Sequence, residues 1–243
     1  MKKQWLMKIG IVVAAAVSTA LAQAAEQDFS ADPGWTGSNN GASGNRHGHD
    51  SASGAVGGTL ARAAIDSCYG DTKLSESFDL SEKITASGQF TIAKISEGWT
   101  ESGAGRFFIG HFSTDAADNR REFIGLEIEN HDGGSVLVRA RFQVPGGNGG
   151  ADSAATIVPA TGSHRFQYTY DPALGEEGDR TPDGRLTLTL DDKTIVVNLS
   201  GAQRKAGARF DAFGLGYTSN QNTHPAENRT VEALIDDVSY SGR

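Results

Sequence analysis

The sequence has a single cysteine, Cys68, among its 243 residues. One thiol cannot form an internal disulfide, and no histidine stands near it in a recognisable catalytic motif, so we interpret Cys68 as a buried, small apolar side chain. Basic residues are also few, because 22 Lys and Arg stand against 30 Asp and Glu and give a net charge of −8. This acidic balance argues against nucleic acid and anionic lipid as partners.

The sequence has no long apolar run beyond its first 24 residues. Residues 1–8 carry three lysines, residues 9–22 are apolar and small, and the Ala-Gln-Ala at 22–24 fits a signal-peptidase site. The apolar run is shorter than the roughly 20 residues that span a bilayer, which makes a membrane anchor the weaker interpretation. We therefore expect a signal peptide at 1–24, secretion into the periplasm or the medium, and a mature chain at 25–243 whose net charge falls to −11 without the three lysines.

Apolar and polar residues alternate through much of the remaining chain, which is the period of a β-strand with one buried face. The clearest segments are 89–93, 106–112, 123–129, 136–142, 165–170 and 185–190. The Gly-, Ser- and Asn-rich segment 37–58 lacks this period and is interpreted as a surface loop. We predict one all-β domain, an antiparallel two-sheet sandwich, in which the late strand 233–240 pairs beside an early strand.

Short motifs spread over the mature chain are similar to those of a known fold family. They occupy 28–40, 57–62, 69–71, 168–172, 209–215 and 235–240. On these motifs the chain resembles secreted concanavalin A-like β-sandwich proteins, above all poorly characterised members from bacteria that degrade polysaccharides. The resemblance implies a jelly roll whose concave sheet holds glycan in lectins, binding modules, glycoside hydrolases and polysaccharide lyases alike. One fold serves all these activities, so the fold does not choose among them.

Two strands joined by a short turn are predicted to set acids against arginines on one face of a sheet. Alternation places Glu127 and Glu129 together on the first strand, and Arg139 and Arg141 together on the second. His111 joins this face if its strand is a neighbour. We hypothesise that these residues bind a polysaccharide or oligosaccharide. The plainer interpretation is a solvated sheet surface with cross-strand ion pairs.

The same face allows a glycoside hydrolase. Residues i and i+2 of a strand lie about 6.5–7 Å apart, close to the roughly 5–5.5 Å between the carboxyl groups of retaining glycosidases, so Glu127 and Glu129 are candidate catalytic acids. With Asp132 they loosely resemble the laminarinase-like order of Glu, Asp and Glu at i, i+2 and i+5, with the second and third identities exchanged. Asp132 also precedes two glycines, where aspartate is a common turn former.

A polysaccharide lyase is a further alternative. It needs a tyrosine or histidine as base and an arginine or amide that neutralises the uronate carboxylate, so His111, Arg139 and Arg141 are candidates. Tyr168 and Tyr170 could supply the tyrosine, but they share one strand face with a phenylalanine and are expected mainly to pack in the core. The third alternative is a structural or adhesive exoprotein without a small ligand.

Two sets of residues are weighed as metal ligands. The resemblance implies a structural calcium ion between the first and last strands, with Asp28 and Asp237 as candidates, but hydrogen bonds from neighbouring backbone N–H groups are the favoured interpretation of these aspartates. His47 and His49 have a spacing that suits zinc or copper, but no third ligand is apparent, so solvated loop histidines are the favoured interpretation. No cofactor is expected beyond the calcium ion.

Overall fold

The computed structural model shows a β-sandwich with one short helix in its described part. The residues that the structure describes are 24–41, 44–61, 67–96, 106–115, 121–132, 134–144, 151–152, 154–176, 181–217 and 230–242. The predicted signal peptide lies almost wholly outside these ranges and stays a prediction. No helix among the described residues is long and apolar enough to cross a membrane.

Eighteen strands and one helix follow one another along the described residues. The strands are β1 (Ala24–Gln27), β2 (Thr36–Ser38), β3 (Arg46–Asp50), β4 (Ala55–Ala61), β5 (Cys68–Asp71), β6 (Phe78–Asp79), β7 (Ile84–Ile95), β8 (Arg106–Phe112), β9 (Phe123–Asn130), β10 (Ser135–Gln143), β11 (Ala151–Asp152), β12 (Thr156–Pro159), β13 (Ser163–Asp171), β14 (Arg185–Leu190), β15 (Lys193–Asn198), β16 (Arg209–Phe210), β17 (Ala212–Tyr217) and β18 (Thr230–Ser241). The helix α1 (Gly201–Ala206) lies between β15 and β16.

Nearly all strands belong to two antiparallel sheets. Sheet I has the order β15-β14-β13-β7-β18-β4-β3, with β1 paired to β18. Sheet II has the order β11-β10-β9-β8-β17-β5-β2, with β12 paired to β10. The predicted all-β, antiparallel two-sheet sandwich is confirmed.

The core lies between the sheets because alternate residues of each strand point inward. On sheet II these are side chains such as Leu126, Val138 and Phe213, which are fully buried. Aromatic contacts join the two sheets: the rings of Phe213 and Tyr240 stack with centroids 4.2 Å apart and planes 8° from parallel. Each large apolar side chain buried in this way contributes roughly 1.5–3 kcal/mol to stability.

The late strand β18 occupies the middle of sheet I rather than an edge. It pairs with β7 on one side and with β4 and β1 on the other, so the predicted pairing with an early strand is confirmed. A β-bulge interrupts its pairing with β7 between Asp236 and Ser239, and Asp237 there has a φ of 49°. Asp237 is exposed whereas its neighbour Val238 is buried.

The segment 37–58 is not a loop, contrary to the expectation from its composition. It contains β3, which pairs with β4 at the edge of sheet I. His47 and His49 alternate with Gly48 on this strand, so both rings share one face. The ring of His47 stacks on Tyr69 from sheet II, with centroids 6.0 Å apart. The composition of this segment, rich in glycine and polar residues, gave no sign of a strand. The strand is packed by contact with the opposite sheet, which the local sequence does not show.

Candidate functional site

Three neighbouring strands of sheet II, β8, β9 and β10, carry the charged residues. Their register places Arg106 opposite Glu129, and Glu127 opposite Arg139. These side chains point away from the core, because their neighbours Ile128 and Val138 point into it. The outer face of sheet II therefore brings the predicted acids and arginines together.

The five side chains Arg106, Glu127, Glu129, Arg139 and Arg141 form one ionic network, here named the charged cluster. Glu129 accepts hydrogen bonds from Arg106 at 3.1 Å and from Arg139. Glu127 accepts one from Arg141 at 3.1 Å, and the Nη1 atom of Arg106 lies 3.8 Å from its Oε1. Three guanidinium groups thus surround two carboxylates, an excess of one positive charge.

Arg106 belongs to this cluster although sequence reasoning missed it. It begins β8 and alternates with Phe107, which is in the core, so its outward direction follows from parity. What the sequence does not state is that β8 pairs with β9 with Arg106 opposite Glu129. Arg106 is the most open member of the cluster, with 39% of its side chain exposed.

Glu127 is the most enclosed member, with 1% of its side chain exposed. Removal from water raises the pKa of this carboxyl, and the nearby guanidinium groups of Arg141 and Arg106 oppose that rise. A buried carboxyl beside arginines can hold or release a proton under conditions where an exposed one stays ionised. Burial therefore perturbs the protonation of Glu127 within the charged cluster.

His111 does not join this face, so that prediction is wrong. Its strand β8 is indeed the neighbour of β9, but Arg106, Phe108 and Gly110 point outward, and His111 has the opposite parity. The imidazole is fully buried between the sheets, where burial lowers its pKa to about 4. A histidine in this position cannot meet a polysaccharide.

The aromatic candidates also lie in the core. Tyr168 and Tyr170 are fully buried, which confirms that they mainly pack, and Trp35 is buried as well. A tryptophan ring can also stack on a sugar, but Trp99 lies outside the described residues. The chain's five tyrosines are all described and all buried, which leaves no tyrosine on the outer face of sheet II.

Beside the charged cluster, a second apolar group covers part of the outer face. It consists of Cys68, Phe108, Phe112, Phe123 and Ala212 and is here named the phenylalanine cluster. The rings of Phe108 and Phe123 stack with centroids 4.7 Å apart. Cys68 is buried with its Sγ 3.2 Å from the Oγ of Ser38, which confirms its interpretation as a packed small side chain.

Glycines make room for these rings. Gly70, Gly214, Gly110 and Gly125 stand in cross-strand register over four neighbouring strands, one row of the outer face without side chains. At Gly125, with a φ of 156°, a Cβ atom would lie 2.3 Å from the carbonyl oxygen of Ile109. Phe108 and Phe123 come from the two sides of this row and meet across it.

Asp132 has the role of a turn former. It follows β9, is exposed, and accepts a hydrogen bond from the hydroxyl of Ser135 at the start of β10. That hydrogen bond is the largest cause of its lowered pKa. The side chain thus stabilises the turn between β9, which carries the glutamates, and β10, which carries two of the arginines.

The metal candidates are engaged in hydrogen bonds. Asp28 accepts from the backbone N–H of Ser30 at 3.0 Å and from its hydroxyl at 2.8 Å, and Asp237 accepts from the Gln89 amide at 2.9 Å. Within the described ranges no group of three or more His, Cys, Asp or Glu side chains could hold a metal ion. The calcium hypothesis for Asp28 and Asp237 thus finds no support.

The two histidines of β3 also have protein partners. His47 contacts the Ser67 hydroxyl through Nε2 at 2.8 Å, and burial lowers its pKa to about 4. His49 lies 2.8 Å from the carbonyl oxygen of Phe29 through its Nε2. The metal hypothesis for these histidines finds no support, and the interpretation as solvated loop residues is wrong, because both lie on a strand and contact protein groups.

Together, the two antiparallel sheets and their strand order define a jelly-roll β-sandwich of the concanavalin A-like type. Solved structures with this architecture include a variant of the alginate lyase Aly36B with an alginate trisaccharide, at 12% identity over 92% of this chain and 100% of that one, TM-score 0.52. A family 7 alginate lyase, A1-II′, with a bound product matches at 12% identity over 81% and 83% of the two chains, TM-score 0.49.

An alginate lyase from Pseudomonas aeruginosa matches at 12% identity over 68% of this chain and 66% of the other, TM-score 0.39. At 12% identity, the likeness to the Aly36B structure, with its TM-score of 0.52, supports the fold and not the activity. No protein-family model and no curated protein matches the chain.

Proposed function

We propose that this protein acts on an acidic polysaccharide, whose carboxylate groups the charged cluster engages. The observation that carries the proposal is the convergence of three guanidinium groups on the outer face of sheet II, with Arg106 open to solvent. An arginine offers a planar fork of N–H donors that matches a carboxylate. The fold supports the proposal, because the solved structure that resembles this chain with a TM-score of 0.52 is an alginate lyase that holds an alginate trisaccharide.

The charged cluster has a local excess of positive charge on a protein that is acidic as a whole. The whole chain carries a net charge of −8, whereas the cluster has one more arginine than glutamate. Charges more than about 8–10 Å apart are largely screened at physiological salt, so a polyanion at this face responds mainly to the local arginines. We expect binding that weakens as salt rises.

The first activity to test is that of a polysaccharide lyase. In this reaction a base removes the C5 proton of a uronate, the C4–O bond breaks, a C4–C5 double bond forms, and the leaving oxygen takes up a proton. An arginine lowers the barrier by neutralising the carboxylate next to C5. Among the described residues of the charged cluster, the groups able to move a proton are Glu127 and Glu129.

The second candidate is binding without cleavage. It is favoured by one specific observation: all five tyrosines and His111 are buried, so the described residues of β8, β9 and β10 place no tyrosine or histidine on the outer face of sheet II. A glycoside hydrolase with Glu127 and Glu129 as its acids would need substrate access to Glu127, whose side chain is enclosed.

The deciding experiment incubates the protein with alginate, polygalacturonate and neutral laminarin. Ultraviolet absorbance reports unsaturated products, a reducing-end assay reports hydrolysis, and affinity electrophoresis reports binding. We expect retention by the acidic polymers that falls about 10-fold in the variants Arg106→Gln and Arg139→Gln. The matched variant Arg46→Gln, which removes an exposed arginine from β3, should not change it.

The outcomes separate the candidates. Unsaturated products that disappear in Glu127→Gln or in Glu129→Gln support the lyase, whereas retention without any product supports the binding protein. New reducing ends without unsaturation support the hydrolase. If no acidic polymer is retained, or if retention does not depend on Arg106 and Arg139, the proposal is wrong.

A further inference from the structure

The outer face of sheet I contains a groove that the proposed function does not use. It has a volume of about 400 Å³ and lies over β7, β13 and β14 beside the bulge of β18. Its lining residues are Ser87, Gly88, Gln89, Arg165, Phe166, Gln167, Thr189, Asp191 and Asp237. Phe166 belongs to the core, so the side chains that a ligand would meet are polar.

Strand alternation builds the floor of this groove. Phe166 and Tyr168 point into the core, so Arg165 and Gln167 point outward from β13. The register sets Gln89 opposite Arg165, and Gln167 between Ser87 on β7 and Thr189 on β14. The result is two cross-strand rows of amide, hydroxyl and guanidinium groups about 4.7–4.9 Å apart from strand to strand.

Two aspartates form opposite walls. Asp237 stands on the bulge of β18 and accepts a hydrogen bond from the Gln89 amide at 2.9 Å. Asp191 stands in the turn between β14 and β15, where it accepts from the backbone N–H of Arg165 at 2.9 Å and contacts His164 at 2.9 Å. Each wall is therefore fixed to the floor by a hydrogen bond.

Both wall residues have a left-handed backbone. Asp191 has a φ of 53° and Asp237 a φ of 49°, and only two other non-glycine residues in the described part of the chain, Phe29 and Asn39, have a positive φ. Strained backbone conformations of this kind are enriched at functional sites, and β-bulges likewise reorient side chains next to such sites. Here they turn two carboxylates toward one groove.

The floor also holds polar groups without protein partners. The guanidinium group of Arg165 and the amide of Gln167 make no hydrogen bond or ion pair with any described residue, and both side chains are exposed. Between the walls, donors and acceptors thus alternate over a short distance. This pattern complements vicinal hydroxyl groups, which donate to a carboxylate and accept from an amide or guanidinium.

We propose that this groove is a second saccharide site, and that it binds a neutral sugar chain through adjacent hydroxyl groups. Its two aspartates outnumber its single arginine, so the groove repels the acidic polymer proposed for the charged cluster. Among the described residues no aromatic ring points into it, and binding by hydrogen bonds alone is weak, with a dissociation constant of roughly 1 mM. The two faces of the sandwich then hold chemically different glycans.

The groove is tested by mapping backbone amide shifts in nuclear magnetic resonance titrations. The probes are cellohexaose, laminarihexaose and mannohexaose, with an alginate hexasaccharide as the acidic comparison. We expect at least one neutral probe to shift the amides of Gly88, Gln167 and Thr189 and to leave β8 and β10 unchanged. The acidic probe should not shift these three amides, whatever it does at the charged cluster.

Variants identify the groups that make the contacts. Gln167→Ala and Arg165→Gln should each weaken neutral-probe binding at least 5-fold, and Asp237→Asn, which keeps a residue that tolerates the left-handed backbone, should do the same. Lys94→Gln, a change of an exposed cation further along β7, is the matched control. Shifts at none of the three amides with any neutral probe, or affinities unchanged in all three groove variants, overturn the proposal and leave that for the charged cluster untouched.

Discussion

The Nδ1 atom of His111 on sheet II lies 2.6 Å from the hydroxyl oxygen of Tyr168 on sheet I. The Nε2 atom of the same ring lies 2.9 Å from the carbonyl oxygen of Ser241. A carbonyl only accepts, so Nε2 carries the proton and Nδ1 accepts from the tyrosine. The tyrosine oxygen in turn accepts from the backbone N–H of His111 at 3.1 Å. The two residues considered as catalytic bases thus satisfy each other inside the core.

Tyr168→Phe is expected to lower the free energy of unfolding by roughly 2 kcal/mol, because it leaves the buried Nδ1 atom of His111 without its hydrogen-bond donor. Tyr170→Phe is the matched control, since its hydroxyl makes one hydrogen bond, to the carbonyl oxygen of Leu80. We expect about 1 kcal/mol for the control. Urea denaturation measures both, and equal losses would show that the His111 contact adds nothing.

Stability is expected to fall between about pH 6.5 and about pH 4, because burial lowers the pKa values of His47 and His111 to about 4 in the folded state. The unfolded chain, with ordinary histidine pKa values, binds more protons in this window, so acid favours unfolding. The contribution of each histidine to the free energy of unfolding is complete above about pH 6.5. About 2 kcal/mol of this contribution is lost at about pH 4.5.

The variant His47→Phe isolates one of these contributions. Its free energy of unfolding should depend less on pH than that of the natural protein, as measured by urea titrations at about pH 7 and about pH 4.5. The raised pKa of Glu127 acts in the opposite direction in both proteins and cancels in the comparison. An identical slope in the two proteins would contradict burial as the cause.

Glu127→Ala is expected to destabilise the protein by about 3 kcal/mol, because it leaves Arg141 without its carboxylate in an enclosed part of the charged cluster. Glu129→Ala should cost about 1 kcal/mol, since Glu129 is less buried than Glu127 and Arg106 beside it, with 39% of its side chain exposed, reaches solvent. Thermal and urea unfolding give the comparison. A larger loss for Glu129 would place the enclosed part of the cluster elsewhere.

Gly125→Ala is expected to cost about 3 kcal/mol or more, from a strained backbone together with contact against the carbonyl oxygen of Ile109. Gly48→Ala on β3 is the control, because the backbone of Gly48 lies outside the left-handed region and no atom lies within 4 Å of the added Cβ. Expression, melting temperature and near-ultraviolet circular dichroism report the outcome. Near-native stability of the Gly125 variant would show that the glycine row tolerates side chains.

Alternation predicted the two-sheet architecture and four of the five members of the charged cluster, because parity alone decides which residues of one strand share a face. Glu127 with Glu129, and Arg139 with Arg141, follow from that rule. The rule does not say which strands are neighbours, so Arg106 was missed. It also does not say which face of an ambiguous strand is inward: both faces of β8 carry phenylalanines, and His111 was assigned to the wrong one.

The groove on sheet I was out of reach of the sequence for a different reason. Alternation assigns Asp236 and Asp237 to opposite faces, as it does for any regular strand. The bulge at this place changes that parity, and it is defined by pairing with β7, about 150 residues away in the chain. Local pattern cannot report a feature that a distant strand creates.

The position of β18 separates the order of synthesis from the order of assembly. Thr85 and Ser241, 156 residues apart, meet by hydrogen bonds in the middle of sheet I. While the chain emerges from the ribosome, β7 and β4 stay unpaired along the edges that β18 later fills, and open edges recruit other chains. Sheet I closes only after β18 has been made, which favours slow closure and a need for protection until then.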